Sequence, residues 1–285
     1  MNYSNSYIQS YKDCPLKCYL TNEVGLKKIE DEATEHHVNW GAAIHEGLKR
    51  IYLGDTLESA ILAFKLGYPT QLDEKDLAKT QANGVTVLTA YVKRWSAEDK
   101  RWKVISVEEC DTFEYGQDTP FSVRPDLIME NIQYGGVYGF DHKTVGGKNA
   151  TLSYDFWGRF DPNSQITKYV SYIKSKYGDC SGFYINAIGV GFRQRVYKGE
   201  PAGFWMRFER QMFNRNESQL KVEQDDTRYW IRRINESKVA HEWGMNTDSC
   251  KYCSYKPICS AGRRWPSDSE LITIQYQVSP RATEK

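Results

Sequence analysis

The sequence has almost no excess of charge of either sign: its 285 residues include 38 lysines and arginines against 37 aspartates and glutamates. This balance excludes a globally basic nucleic-acid coat, so any phosphate-binding surface must be a local patch. The longest uncharged apolar-rich stretch, near residues 180–192, is well short of the roughly 18 residues that span a bilayer. Residues 1–9 lack the cationic and apolar regions of a signal peptide. We therefore expect a soluble, cytoplasmic protein with no membrane partner.

Internal repeats and low-complexity blocks are also missing. Apolar residues make up 40% of the chain and aromatic residues 14%, with 20 tyrosines and 8 tryptophans. Such a composition can bury a sizeable core, which excludes intrinsic disorder for most of the chain. The length fits about two domains or one elaborated domain.

The seven cysteines are an odd number, and a disulfide framework is not expected in a cytoplasmic protein. Cys250, Cys253 and Cys259 form a compact set with spacing Cys-x2-Cys-x5-Cys, which supplies three thiolates. A tetrahedral zinc site or an iron–sulfur cluster needs a fourth ligand, for which Cys14 and Cys18 are the candidates. The spacing alone serves both kinds of centre.

Residue patterning divides the chain into a helical part, a strand-rich part and a second helical part. Helical periodicity dominates before residue 100, whereas β-branched and aromatic residues mark short strands from residue 104 to 143. A helix over residues 161–177 and further strands follow, then a long charged helix. The pattern predicts an α/β fold with a mixed sheet and these segments: a helical cap (1–100), a core (101–215), a C-terminal helix with the cysteines (216–265) and a polar tail (266–285).

Two carboxylates and a lysine are expected to meet on a β-hairpin. Asp141 and Lys143 are two residues apart in a predicted strand, so their side chains share one face. A hairpin centred between Gln133 and Tyr134 would place Asp126 opposite Asp141. Clustered carboxylates repel each other, and a divalent cation such as Mg²⁺ relieves that repulsion and lowers the pKa of a bound water. A surface Asp–Lys pair is the alternative interpretation.

Two helices carry further candidates. His45 lies on the inward stripe of its helix, where it is either a satisfied core residue or a ligand that would admit Mn²⁺ as well as Mg²⁺. Gln165 and Tyr169 are four residues apart and share a helix face, which Tyr172 and Lys176 continue. This face suits phosphate and base contacts, although an ordinary amphipathic helix fits it equally well.

Taken together and in this order, the motifs resemble the RecB-type branch of the PD-(D/E)xK nuclease superfamily, and within it iron–sulfur members such as the CRISPR-associated exonucleases. The resemblance covers about residues 4–261, and its joint order is more specific than any single motif. Arg124-Pro125 and His142 depart from the usual residues, but neither change removes a side-chain ligand. The matching residues are Cys14-Pro15, His45, Asp126, Asp141-His142-Lys143-Thr144, Gln165 with Tyr169, and Cys250, Cys253 and Cys259.

The resemblance implies a restriction-endonuclease-like mixed central sheet flanked by helices, with the N-terminal cap joined to the C-terminus by a four-cysteine cluster. The catalytic residues would be Lys143, Asp126 and Asp141. The metal ligands would be His45, Asp126, Asp141 and the backbone carbonyl of His142. Gln165 and Tyr169 would contact DNA. A structural [4Fe–4S] cluster, with Zn²⁺ as the alternative, would be bound by Cys14, Cys250, Cys253 and Cys259.

The function predicted on this basis is a Mg²⁺- or Mn²⁺-dependent deoxyribonuclease, an exonuclease acting on single-stranded DNA or duplex ends. The sequence has no GxxxxGK[ST] motif, so strand separation would need a helicase or recombination partner. Two alternatives remain open. One is a non-catalytic nucleic-acid-binding or assembly protein that keeps the fold, and the other is a zinc-stabilised RNA nuclease.

Overall fold

A computed structural model gives the positions of the helices and strands, and it describes residues 2–29, 32–70, 76–115, 120–196, 198–199, 201–262 and 276–278. The strands are β1 (Tyr3–Ser4), β2 (Leu26–Lys28), β3 (Trp102–Val107), β4 (Asp111–Glu114), β5 (Pro120–Val123), β6 (Leu127–Asn131), β7 (Val137–Val145), β8 (Gly182–Arg193), β9 (Gly203–Phe213) and β10 (Tyr276–Val278). The helices are α1 (Asn5–Asp13), α2 (Pro15–Cys18), α3 (Glu32–Tyr52), α4 (Leu57–Gly67), α5 (Gln81–Asp99), α6 (Tyr154–Gly158), α7 (Ser164–Tyr177), α8 (Glu217–Ala240) and α9 (Lys256–Ser260). Within these ranges no helix is long and apolar enough to cross a membrane.

The chain divides into two compact units. The first, here called the sheet unit, comprises Glu32–Asp111 and Arg124–Leu220; the second, the cysteine unit, comprises Met1–Asp31, Thr112–Val123 and Lys221–Lys285. Cys14 lies in the cysteine unit, whereas His45 lies in the sheet unit. Each unit therefore contains residues from several of the four segments predicted from the sequence. The predicted polar tail lies outside the described residues except for β10, which pairs with β2.

A mixed five-stranded sheet with strand order β3-β6-β7-β8-β9 forms the centre of the sheet unit. β7 and β8 are parallel, and the other neighbouring strands are antiparallel. This arrangement confirms the predicted mixed α/β fold with a central sheet.

The register of the β6–β7 hairpin is the one predicted from the sequence. Leu127 pairs with Phe140, and Ile128 pairs with Gly139. Gly135 and Gly136 have φ values of 75° and 88° in the turn between the strands, a conformation that glycine adopts without steric cost. The next position beyond the ladder brings Asp126 beside Asp141.

The two faces of β7 meet different helices. Phe140 packs in a core with side chains of α3, α4 and α5, including Leu48, Phe64 and Leu88. On the opposite face, a Cβ on Gly139 would come within 2.7 Å of Ile173 in α7, so only glycine lets α7 approach this closely. Odd-numbered β7 residues therefore face α7, and even-numbered residues face α3–α5.

Two predicted element boundaries differ from the structure. The helix expected to begin at Asp161-Pro162 begins at Ser164, because the side chain of Asn163 caps it by accepting a hydrogen bond from the Ile166 N–H at 3.0 Å. The short strands expected from residue 104 onward begin earlier, at Trp102, and β3 ends before β4 begins at Asp111. Glu108 adopts a left-handed φ of 48° there, which ends the extended backbone.

The sheet unit offers a test of its packing at Gly84 in α5. A Cβ at this position would lie 1.9 Å from the ring of Phe64, whereas a Cβ on Gly158 would meet no atom within 4 Å. We expect Gly84→Ala to lower the free energy of unfolding by about 1–3 kcal/mol through overpacking, although alanine favours a helix over glycine by roughly 1 kcal/mol. Gly158→Ala is the control, and chemical denaturation measures both. A stabilised Gly84→Ala protein would contradict the α4–α5 packing.

Candidate active site

Three carboxylates stand side by side where β3, β6 and β7 reach the same end of the sheet. The N–H of Glu108 donates to the backbone carbonyl of Asp126 at 3.0 Å. The N–H of His142 donates to Asp126 Oδ2 at 2.7 Å, which holds this carboxylate against the strand that carries Asp141. The β3–β6 and β6–β7 registers therefore bring Glu108, Asp126 and Asp141 into one row.

Lys143 reaches into this row from β7. Its Nζ lies 2.5 Å from Asp141 Oδ2, as expected for side chains that share a strand face. The Asp141 side chain is only 6% exposed, and among the described residues its Oδ2 has no hydrogen-bond partner of good geometry beyond this ion pair. A buried carboxylate oxygen that relies on one ammonium has room for a further cationic partner.

His45 approaches the same carboxylates from α3. Its Nδ1 lies 3.7 Å from Asp126 Oδ2, beside the carboxylate that the His142 N–H holds in place. Burial is the main cause that lowers the pKa of His45, although Asp141 opposes the shift. A neutral imidazole is the form that binds a metal.

The carboxylate row is electrostatically unfavourable without a cation. Burial, followed by the charge of Asp141, raises the pKa of Asp126 to about 7, and Glu108 adds to the rise. Two carboxylates with an imidazole are the donor set that Mg²⁺ and Mn²⁺ accept, so the residues fit such an ion. Across the described ranges, however, no three His, Cys, Asp or Glu side chains are arranged closely enough to enclose an ion as they stand.

The His142 side chain lies on the other face of the sheet from the carboxylates. Its ring stacks on Tyr52, with centroids 5.6 Å apart and planes 16° apart, and its Nδ1 lies 2.7 Å from Asn186 Nδ2. Burial lowers the pKa of His142 well below its usual range. Its backbone faces the carboxylates, which is compatible with the predicted ligand role of its carbonyl, and its ring meets the ring of His45 edge to face with centroids 5.9 Å apart.

A buried polar network that the sequence analysis missed surrounds the His142 ring. Arg210 donates to Asp99 Oδ1 at 2.6 Å, to the Tyr52 hydroxyl at 2.8 Å and to Asn186 Oδ1 at 3.3 Å. Asn186 is 0% exposed and also bonds the hydroxyl of Tyr91. Such a satisfied network fixes one arrangement of the β7 strand whose backbone holds Asp126.

Gln165 and Tyr169 lie together on α7, as predicted, but Tyr169 is buried. Gln165 Nε2 donates to the Tyr169 hydroxyl at 3.0 Å, and that hydroxyl donates to the carbonyl of Arg124 at 3.0 Å. The Tyr169 ring is 8% exposed and stacks on Phe183 with centroids 5.6 Å apart. A base cannot stack on this ring, so any contribution of Tyr169 to DNA contacts would be through the position of Gln165.

Beyond Tyr169, the structure of α7 favours the ordinary amphipathic helix, which the sequence left open as the alternative. Tyr172 is 2% exposed and donates to Asp111 Oδ2 at 2.8 Å, and the ammonium of Lys176 lies 2.6 Å from the same oxygen. Lys168 is 1% exposed and donates to Ser164 at 2.5 Å. Tyr172 and Lys168 are thus engaged in packing and hydrogen bonds within the sheet unit, whereas Lys176 is exposed and paired with Asp111.

The cysteine unit brings Cys14 near the three C-terminal cysteines. Burial is the main cause that raises the pKa of Cys259, and the charges of Cys253, Cys250 and Cys14 raise it further. The N–H of Asn246 donates to Cys14 Sγ at 3.4 Å, and its amide donates to the carbonyl of Asp13 at 2.9 Å. The N- and C-terminal segments are thus joined beside the thiols.

Cys18, the other N-terminal candidate, has different partners. Its thiol donates to the carbonyl of Tyr7 and accepts from Asn22, and burial raises the pKa of Cys18 to about 11. Cys14 instead shares Asn246 with Cys250, whose thiol donates to the Asn246 carbonyl at 3.7 Å, so these contacts favour Cys14 over Cys18 as the fourth member of the set.

Comparison with known proteins identifies the family. The model of the PD-(D/E)XK nuclease superfamily matches residues 2–260, nearly the whole chain. The chain belongs to this superfamily of nucleases, as the sequence motifs indicated. A crystal structure of a protein from Eubacterium rectale, described as a candidate exonuclease, aligns with 96% of this chain and 92% of its own at 14% identity and a TM-score of 0.49. No curated protein matches the chain.

Glu108 is a site residue that no motif announced, and its role can be tested. It ion-pairs with Lys49 at 3.5 Å and raises the pKa of Asp126. We expect Glu108→Gln to weaken Mn²⁺ affinity by about fivefold, or roughly 1 kcal/mol, because one nearby negative charge is lost. Electron paramagnetic resonance titration with Mn²⁺ measures this, with Glu109→Gln as the neighbouring control. Unchanged Mn²⁺ affinity together with a lower free energy of unfolding would show that Glu108 only pairs with Lys49 and does not act on the metal.

Proposed function

We propose that this nuclease is a divalent-metal-dependent deoxyribonuclease that degrades single-stranded DNA or duplex ends. The observation that carries the proposal is the convergence of His45, Asp126, Asp141 and Lys143 at one end of the sheet. DNA as the substrate follows from the resemblance of the motifs to the iron–sulfur exonucleases. A non-catalytic nucleic-acid-binding protein would have no need of carboxylates clustered where phosphates bind.

Asp126, Asp141, His45 and the carbonyl of His142 would hold Mg²⁺ or Mn²⁺. When bound, this ion would supply positive charge to the scissile phosphate and lower the pKa of a water molecule. Because imidazole is a softer ligand than carboxylate, His45 makes the site tolerant of Mn²⁺.

The chain's own residues would orient the phosphate and the ligands. The Lys143 ammonium, held at 2.5 Å by Asp141, would offset the negative charge that develops on the phosphate. The His142 N–H fixes the rotamer of Asp126 through its hydrogen bond. Gln165, half-buried and tethered by the Tyr169 hydroxyl, would contact the DNA strand.

The direct test is incubation of the purified protein with end-labelled single-stranded DNA, duplex DNA and RNA, with Mn²⁺ or with EDTA. We expect Mn²⁺-dependent release of short products from both DNAs and none from RNA. Closed circular duplex DNA serves as a substrate without ends, and its cleavage would contradict the end-directed activity. Binding without cleavage would favour the non-catalytic alternative, and cleavage of RNA alone would favour the RNA nuclease.

The role of Lys143 gives a prediction of its own. We expect Lys143→Ala to abolish cleavage while metal and DNA binding change little, because Lys143 acts on the phosphate and is not a ligand. Asp126→Ala and Asp141→Ala should lose metal affinity as well. Lys103, which is 68% exposed on β3, provides the control Lys103→Ala. Cleavage assays and Mn²⁺ titration separate the two effects, and full turnover by a folded Lys143→Ala protein would refute the assignment.

We also propose that Cys14, Cys250, Cys253 and Cys259 hold a structural [4Fe–4S] cluster. Their mutual influence on the pKa of Cys259 and the N–H donor to Cys14 support a shared thiolate site. When bound, the cluster would cross-link the terminal segments and contribute folding free energy. Zn²⁺ is the alternative occupant.

Anaerobic purification tests the cluster. We expect a brown protein that absorbs near ~400 nm with about four irons per chain. Cys14→Ser and Cys250→Ser should bleach it and lower its stability, whereas Cys18→Ser should keep its iron content. The exposed Cys110 provides a further control, Cys110→Ser. A colourless protein with one Zn²⁺ would show that zinc occupies the site instead of the cluster. Loss of iron in Cys18→Ser would show that Cys18 is the N-terminal ligand.

A further inference from the structure

A concave site lies in the sheet unit, away from the carboxylate row. Its cavity has a volume of about 550 Å³, within the range of small-molecule sites. Its walls are aromatic and its polar groups are arginines, glutamates and an asparagine. The principal lining residues are Arg101, Trp102, Tyr138, Phe140, Tyr184 and Glu209.

The aromatic walls present stacking surfaces. Phe140 and Tyr184 stack on each other with centroids 4.8 Å apart and planes 15° apart. Trp102 stands perpendicular to this pair, 5.3 Å from Phe140 and 6.0 Å from Tyr184. Phe140 is buried, but Trp102, Tyr138 and Tyr184 are only half-buried, so a planar ligand can reach their rings. Aromatic side chains on an open sheet face are a common platform for nucleobases.

The polar groups around these rings complement a nucleotide. Arg101 is exposed at the rim, where a guanidinium group can meet a phosphate, while the neighbouring Arg94 lies over the ring of Trp95. Glu98 and Glu209 also line the cavity, but their carboxylates are paired with Arg94 at 2.9 Å and with Arg207 at 2.5 Å. Arg210 also lines the cavity, but its guanidinium is already bonded to Asp99.

Strand geometry separates this cavity from the active site. Tyr138 and Phe140 face the α5 side of the sheet, whereas Asp141 and Lys143 face α7. Tyr138 and Lys143 are also five residues apart along β7, or about 16 Å. A nucleotide in the cavity is therefore not the one being cleaved.

We propose that this cavity binds a nucleotide, with its base stacked against Tyr184 and its phosphate at Arg101. The occupant is a free nucleotide or a nucleotide of a single strand, which share this chemistry. Because binding here needs neither the metal nor Lys143, the cavity can be tested independently of the proposed cleavage.

The experiment is isothermal titration calorimetry of the full-length protein in EDTA, with deoxyadenosine 5′-monophosphate and a twelve-residue oligodeoxyadenylate as probes. Tyr184→Leu removes a stacking surface, and Arg101→Glu reverses a charge at the exposed rim. Tyr229 and Arg232, which are exposed on α8 in the cysteine unit, provide the matched controls Tyr229→Leu and Arg232→Glu. Thermal unfolding checks that each variant is folded.

We expect Tyr184→Leu and Arg101→Glu each to weaken binding about tenfold, the loss that accompanies one stacked base or one phosphate contact, while the controls bind as the native protein does. An effect on the mononucleotide identifies a free nucleotide as the occupant, and an effect on the oligonucleotide alone identifies a strand segment. If neither probe binds, or if the Arg101→Glu protein binds both with native affinity, the proposal is overturned. Failure of cleavage in Mn²⁺ would leave this result unaffected.

Discussion

The pairing of Leu127 with Phe140 in the β6–β7 hairpin is the constraint on which the site depends. Side chains alternate between the faces of a strand, so a slip of one residue would turn Asp141 and Lys143 toward the apolar core of α3–α5 and bring Phe140 to the α7 side. The observed register instead sets Asp126 beside Asp141 and lets the His142 N–H reach the Asp126 carboxylate. One set of backbone hydrogen bonds thus decides which side chains join the candidate active site and which pack in the core.

The strand β7 therefore serves two environments. On one face it presents a carboxylate and an ammonium, and on the other it buries an imidazole in a network with Asn186 and Arg210. A polar network in a core costs stability unless every member is satisfied, and here the arginine has a carboxylate, an amide and two hydroxyls as partners. The benefit is a rigid backbone at His142, whose N–H must hold the Asp126 carboxylate in a fixed position.

The sequence alone could predict the features that depend on contacts between residues close together in the chain. The hairpin and its register follow from alternation and one turn, which is why Asp126, Asp141 and Lys143 were found together. The burial of Tyr169 was not predictable because α7 carries a polar stripe next to an apolar one. Helical periodicity does not show that the sheet and Asp111 contact both stripes. Glu108 joins the site only through the pairing of β3 with β6, a contact about twenty residues away that no local pattern encodes.

The interleaved composition of the cysteine unit has a consequence for the order in which the protein is made. Its parts come from the first 31 residues, a short middle stretch and everything after residue 221, whereas the last segment of the sheet unit ends at Leu220. During synthesis the segments of the sheet unit are complete before Cys250 leaves the ribosome. A group held jointly by Cys14 and Cys259 could therefore form only after Cys259 has been synthesised. Insertion of the proposed cluster would then close a loop of more than two hundred residues, and its loading would follow the synthesis of the whole sheet unit.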